Sequence, residues 1–196
     1  MTQLDFPGRD KLVATLDAAL SLGDDRAITD GLRKGLCALI EDDSVQLPEC
    51  VFESIADHYA RRELYTSPEH GYSVIAMTWG PGQGTKIHDH SGMWCVEGVW
   101  RGRLEITQYE LAERDEQRFR FIPVGTIEAG TGSAGSLIPP HEYHTIRNPS
   151  DRAIAVSLHV YQQTMVRCSV FTPEDEHSGW QSRGERLLGT DQVVSP

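Results

Sequence analysis

Apolar positions recur at helical spacing through the first third of the chain and at alternate residues after it. In DKLVATLDAALSL, Leu12, Leu16, Ala19 and Leu20 share one face. AITDGLRKGLCALIED repeats the pattern with Ile28, Leu32, Leu36 and Ile40. LPECVFESIADHYARREL predicts a third helix, opened by Pro48, with Phe52, Ile55, Ala56 and Tyr59 on its stripe. SPEHG, beginning at Ser67, is turn chemistry. Short β-rich runs then alternate with Gly and Pro breaks: YSVIAMTW, GMWCVEGVW, RLEITQYEL, RFRFIPVG, GSLIPPHEYHTIRN, AIAVSLHVY and RCSVFTP. Such spacing predicts a mainly β fold, a sandwich or barrel. The segments read as a helical part over 1–65, a β-barrel over 66–172 and a polar tail over 173–196 that wraps the surface or frays. The helical part has few large aromatics and makes a thin core alone, so it is expected to pack on the barrel within one domain.

Composition narrows the partners. The 196 residues carry a net charge of −11, which argues against a nucleic-acid or anionic-membrane partner. The opening MTQLDFPGRDK has no basic stretch followed by an apolar one, and no run approaches the ~18 apolar residues of a membrane span. The expectation is a cytoplasmic protein, a monomer or small homo-oligomer. Cys37, Cys50, Cys95 and Cys168 are widely spaced and form no Cys-x-x-Cys pair, which argues against a cysteine-rich zinc site or disulfide framework.

Three stretches carry candidate chemistry. In GQGTKIHDHSG, His88 and His90 sit at i and i+2, which on a strand places both imidazoles on one side. A bare His-x-His also occurs on ordinary turns. PPHEYHTIRN offers His141 and His144, either of which completes a three-histidine set. In SLHVY, Ser157, His159 and Tyr161 share one face while Val156, Leu158 and Val160 share the other, so a buried polar face must satisfy itself by hydrogen bonding. That face either stabilises a core or aims the tyrosine at a reactive site. A Ser/His hydrolase is disfavoured because no nucleophile elbow is present. Trp79, Trp94 and Trp100 read as core residues.

These residues resemble the cupin superfamily. Its first motif, G-x5-H-x-H-x(3,4)-E-x6-G, is matched by Gly82, His88, His90 and Gly102, with Cys95 standing where the motif has glutamate. Pro139, His144 and Asn148 match the second motif and select His144 over His141 as third ligand. Ser133 and His141 replace its glycines. A cysteine at the glutamate position is similar to the cysteine dioxygenase family within the cupins. The resemblance implies a cupin barrel with N-terminal helices, and Fe(II) held by His88, His90 and His144 with O2 as co-substrate. It implies a Cys95–Tyr161 thioether, Ser157 and His159 orienting Tyr161, and Arg61, or Arg62 with a one-residue slip, binding the substrate carboxylate. Cys168 resembles a cysteine near the pocket mouth. The implied activity is oxidation of L-cysteine to cysteine sulfinic acid. The other readings are a 3-mercaptopropionate dioxygenase, whose arginine position commonly carries glutamine and cysteine position glycine, and a metal-binding cupin without turnover.

Overall fold

The computed structural model describes residues 4–175 and 177–192. Helices α1 (Arg9–Leu20) and α2 (Asp25–Ile40) form where the periodicity predicts them. The Asp24 side chain accepts from the Ala27 N–H at 2.9 Å and so satisfies one of the open donors at the start of α2. Leu12, Leu16, Leu32 and Leu36 are fully buried; each contributes roughly 1.5–3 kcal/mol by leaving water.

The predicted third helix does not form. Only Glu49–Phe52 makes a 3-10 turn, and the chain then runs irregularly into strand β1 (Ala60–Thr66). Phe52 packs half-buried on the helix-side core and Tyr59 is buried in the interior between the sheets, while Ile55 is half-buried and Ala56 exposed, so the four positions form no single helical stripe. Pairing with the next strand outweighs a weak local helix preference. The strands that follow are β2 (Ser73–Trp79), β3 (Ile87–His88), β4 (Cys95–Arg101), β5 (Arg103–Asp115), β6 (Arg118–Gly130), β7 (Ala134–Leu137), β8 (His144–Arg147), β9 (Ala155–Tyr161), β10 (Arg167–Pro173) and β11 (Trp180–Leu187).

Five strands form one sheet in the order β1-β2-β9-β4-β7, and the other six close as β10-β11-β6-β5-β8-β3. The mainly β expectation, with helices packed against it, holds. Part of the tail is also sheet rather than a loose wrap: β11 pairs along all of β10 and meets β6 at Arg118–Arg120. Trp180 anchors it, with the Arg118 and Arg120 guanidiniums 5.0 and 4.6 Å from its ring centre. The end of DQVVSP from residue 193 lies outside the described residues.

Alternation along the five-stranded sheet separates two cores. Val74, Ala76, Val96, Val156, Leu158 and Val160 face the helices. Ile75, Met77, Trp79, Cys95, Val99 and Tyr161 face the interior between the sheets. Helix α2 lies on β4 and β7. A Cβ at Gly98 would meet Ile40 Cδ1 at 3.0 Å and Leu36 Cβ at 3.4 Å, so glycine permits this close approach. Gly102 turns the chain between β4 and β5 at φ +80°, where a Cβ would also meet the Ile154 carbonyl oxygen at 2.9 Å. Asn148 ties the end of β8 to β2: its Nδ2 donates to the carbonyls of Trp79, Gly80 and Ala153 at 3.0, 3.1 and 2.8 Å.

Candidate functional site

Strand pairing brings His88 of β3 directly opposite His144 of β8. His90 follows two residues later, where its backbone N–H donates to Glu142 Oε2 at 2.8 Å. The ring centres of His88, His90 and His144 lie 4.4–5.2 Å apart, and a ligand nitrogen from each lies within 4.8 Å of the others. His141 is exposed and stands apart.

The donor set fits a metal. His88 Nδ1 faces the Lys86 carbonyl at 3.1 Å, and His144 Nδ1 faces the Glu142 carbonyl at 3.1 Å. A carbonyl only accepts, so Nδ1 carries a proton in each ring and Nε2 is the atom left to ligate, in His144 once the Nε2 proton that the Glu97 charge favours has gone. His144 Nε2 is buried without a hydrogen-bond partner. Burial, then the neighbouring imidazoles, pushes His88 well below the ordinary histidine range; burial also lowers His90. Both are neutral and free to ligate at neutral pH.

The motif pattern does not single out Glu97, and the structure adds it. It sits two residues beyond Cys95 on the same interior face of β4, only 8% exposed. Its Oε1 lies 3.4 Å from His144 Nε2 and 3.2 Å from His159 Nδ1. Both contacts are within ion-pair reach but off hydrogen-bond alignment, so both nitrogens still lack a hydrogen-bond partner. Burial alone would raise the Glu97 carboxyl. Contact with the His159 and His144 imidazoles outweighs it and holds the group well below the usual range. The site is therefore three imidazoles with an ionised carboxylate beside them. The signal is present in WCVEGVW: a glutamate amid apolar residues on a buried strand needs a partner.

Ser157, His159 and Tyr161 are all buried, as their strand pattern predicts. Trp79 Nε1–H donates to Ser157 Oγ at 2.9 Å, and Ser157 Oγ lies 2.8 Å from His159 Nε2. The indole can only donate, so the hydroxyl hydrogen goes to Nε2 and the imidazole proton sits on Nδ1, facing Glu97. Nε2 is thus hydrogen-bonded to Ser157, while Nδ1 makes only an ion-pair-range contact with Glu97. Its ring stacks on Tyr161, centres 6.0 Å apart, with no hydrogen bond between the two. The hydrogen-bonded relay runs Trp79–Ser157–His159, with Glu97 in ion-pair reach beyond it, rather than ending on the tyrosine hydroxyl. Trp79 is accordingly part of the site and not only core; it also stacks on Tyr59 at 4.5 Å. Trp94 is core, and Trp100 packs against it half-buried.

Cys95 and Tyr161 are direct cross-strand partners of β4 and β9. Burial first, then nearby charge, raises both the thiol and the phenol well above their ordinary values, so both are protonated at neutral pH. The arginine alternatives separate by strand alternation. Arg61 pairs with Met77 on the interior face and lines the cavity, with its Nη1 donating to the Gly189 carbonyl at 3.0 Å. Arg62 points away from the cavity, with its two terminal nitrogens donating to Thr78 Oγ1 at 3.1 Å and the Glu53 carbonyl at 2.9 Å. Arg147 is exposed and paired with Glu105 at 3.1 Å. The cavity over His88 and His144 measures about 590 Å³, and Tyr161, Met165 and Cys168 also line it.

Residues 48–174 match the family model for cysteine dioxygenase type I. The chain is 26% identical to cysteine dioxygenase type 1 of Danio rerio over 131 residues, covering 64% of this chain and 65% of that protein. It is 25% identical to the Homo sapiens enzyme of the same name over 124 residues, 59% and 57% of the two lengths. The match thus spans less than two thirds of these relatives. Among solved structures the chain is similar to TT1209 from Thermus thermophilus, at TM-score 0.45 and 19% identity over 60% of this chain and 94% of that one. It is also similar to oxalate oxidase in complex with the substrate analogue glycolate, at TM-score 0.41 and 18% identity over 56% and 53%. Among the described residues no helix is long and apolar enough to cross a membrane.

Proposed function

The chain belongs to the cysteine dioxygenase type I family, and from that membership we propose that it is a thiol dioxygenase that oxidises L-cysteine or a related small thiol carboxylate to the sulfinic acid. His88, His90 and His144 would hold Fe(II). When bound, iron supplies the redox centre at which a thiolate and O2 meet. The observation that carries the reading is the direct cross-strand register of Cys95 with Tyr161 beside three convergent imidazoles, two buried and one half-buried. A structural cupin has no need of that pair.

The chain's own residues then have distinct tasks. Arg61 is buried, and its Nε has no hydrogen-bond partner. It would take the substrate carboxylate with charge-assisted hydrogen bonds, each worth about 1.5–3 kcal/mol. Tyr161 keeps its proton and is available as a donor beside the reacting sulfur. A thioether to Cys95 would fix its ring and remove rotamer freedom. Glu97, held by His159, would add negative charge next to His144 and so favour a dication at the three nitrogens. Met77, Met165 and Ile146 give the cavity apolar walls that exclude water. The protein would work as a monomer or small homo-oligomer on a small-molecule thiol in the cytoplasm.

Oxygen uptake by the anaerobically iron-loaded protein, with L-cysteine and 3-mercaptopropionate compared, tests the proposal. Thiol-dependent uptake with sulfinate as product supports it. Bound iron with no uptake for any small thiol carboxylate refutes it.

A further inference from the structure

Arg61 shares the cavity with a second guanidinium. Arg186 of β11 faces inward opposite Cys168, and its Nη1 donates to the Tyr59 hydroxyl at 2.6 Å while the group lies 4.9 Å from the Tyr59 ring centre. Tyr59 in turn stacks on Trp79, so Arg186 is held in place by the wall of the site. Among the described residues, no carboxylate lies within ion-pair distance of the Arg61 or Arg186 guanidinium. The acidic groups that line the cavity are engaged elsewhere: Glu97 with His144 and His159, and Glu185 with Arg167 at 3.5 Å. Lys86 adds a third cation at the rim, where it donates to Thr172 Oγ1 at 3.0 Å. In a chain of net charge −11, two guanidiniums without a carboxylate partner thus line one cavity.

We propose that Arg186, with Tyr59, forms a second anion subsite, and that the substrate is a thiol carrying two acidic groups. This rests on the thiol dioxygenase reading and sharpens its substrate class. One carboxylate goes to Arg61 and the second to Arg186. A cavity of about 590 Å³ falls in the range that accepts ligands larger than a three-carbon thiol. The charges also account for each other: a monocarboxylate leaves one guanidinium facing the cavity without an anion, and a second carboxylate supplies it.

The test compares mercaptosuccinate, 3-mercaptopropionate and L-cysteine on the iron-loaded protein, in wild type, R186Q and R186K. One added charge-assisted contact gives wild type a preference for mercaptosuccinate of about tenfold to a hundredfold in kcat/KM, mostly through KM. R186Q brings the mercaptosuccinate to 3-mercaptopropionate ratio close to one, and R186K restores part of it. A wild-type preference for either monocarboxylate, or an unchanged ratio in R186Q, overturns the subsite. Should no thiol support uptake, the parent reading has failed, and calorimetric binding of succinate against propionate decides the subsite by itself. Tighter succinate binding that R186Q abolishes supports it, and equal binding overturns it.

Discussion

Glu97→Gln changes one charge and almost no volume at the centre of the proposed site. In the metal-free protein, burial pulls His144 down, but the Glu97 charge and contact more than offset it and leave His144 raised. The separation of 3.4 Å explains why. A unit charge pair at that distance interacts by about 5 kcal/mol at an effective dielectric of ~20, ahead of desolvation costs. A metal at the same nitrogens replaces that proton and gains from the same carboxylate. Loss of such a supporting partner costs about 10- to 100-fold in metal affinity, roughly 1.4–2.8 kcal/mol. The sign of the pH effect follows. His144 must lose its proton to ligate, so wild-type affinity falls as pH drops through its raised value. In E97Q that value is lower, so the fall begins at more acidic pH although the neutral-pH affinity is weaker. Competition with a chelating dye, using Fe(II) under anaerobic conditions across pH, reads both. Affinity within about twofold of wild type, with an unmoved pH profile, would refute the role given to Glu97.

Other substitutions probe the remaining parts. Ser157→Ala strands the buried Trp79 Nε1–H and His159 Nε2 together; at about 1–3 kcal/mol for each unsatisfied group, the metal-free protein should lose about 2–6 kcal/mol. Urea unfolding checks this, and a change in midpoint worth less than about 1 kcal/mol would contradict the relay. His144→Ala should abolish iron binding, so full retention of iron would sink the ligand assignment. After turnover, a Cys95–Tyr161 thioether should give a faster, reductant-resistant second band on denaturing gels. That band should vanish in Cys95→Ala with a modest loss of turnover; a single band in iron-loaded, substrate-treated wild type would argue against the cross-link.

Strand alternation makes most of the site readable from the chain. Val156, Leu158 and Val160 opposite Ser157, His159 and Tyr161 tell which residues face inward, and the structure keeps that division. His88 and His90 are equally legible, but only the β3–β8 register selects His144 over His141 on physical grounds. The failures have physical causes too. LPECVFESIADHYARREL has helical spacing by composition, yet its second half gains more from hydrogen bonding to β2 than from continuing a turn. The tail looks unpatterned because β11 holds on through Trp180 and cross-strand pairing rather than through an apolar stripe. Glu97 is hidden because the motif position belongs to Cys95, and the partners that make a buried glutamate tolerable come from β8 and β9, distant in sequence.

The most direct test of the account is the fate of 18O2 in a turnover of the iron-loaded protein with the thiol it consumes fastest. A thiol dioxygenase yields a sulfinate carrying label at both oxygens. Labelled water or peroxide with disulfide and no labelled sulfinate would contradict it.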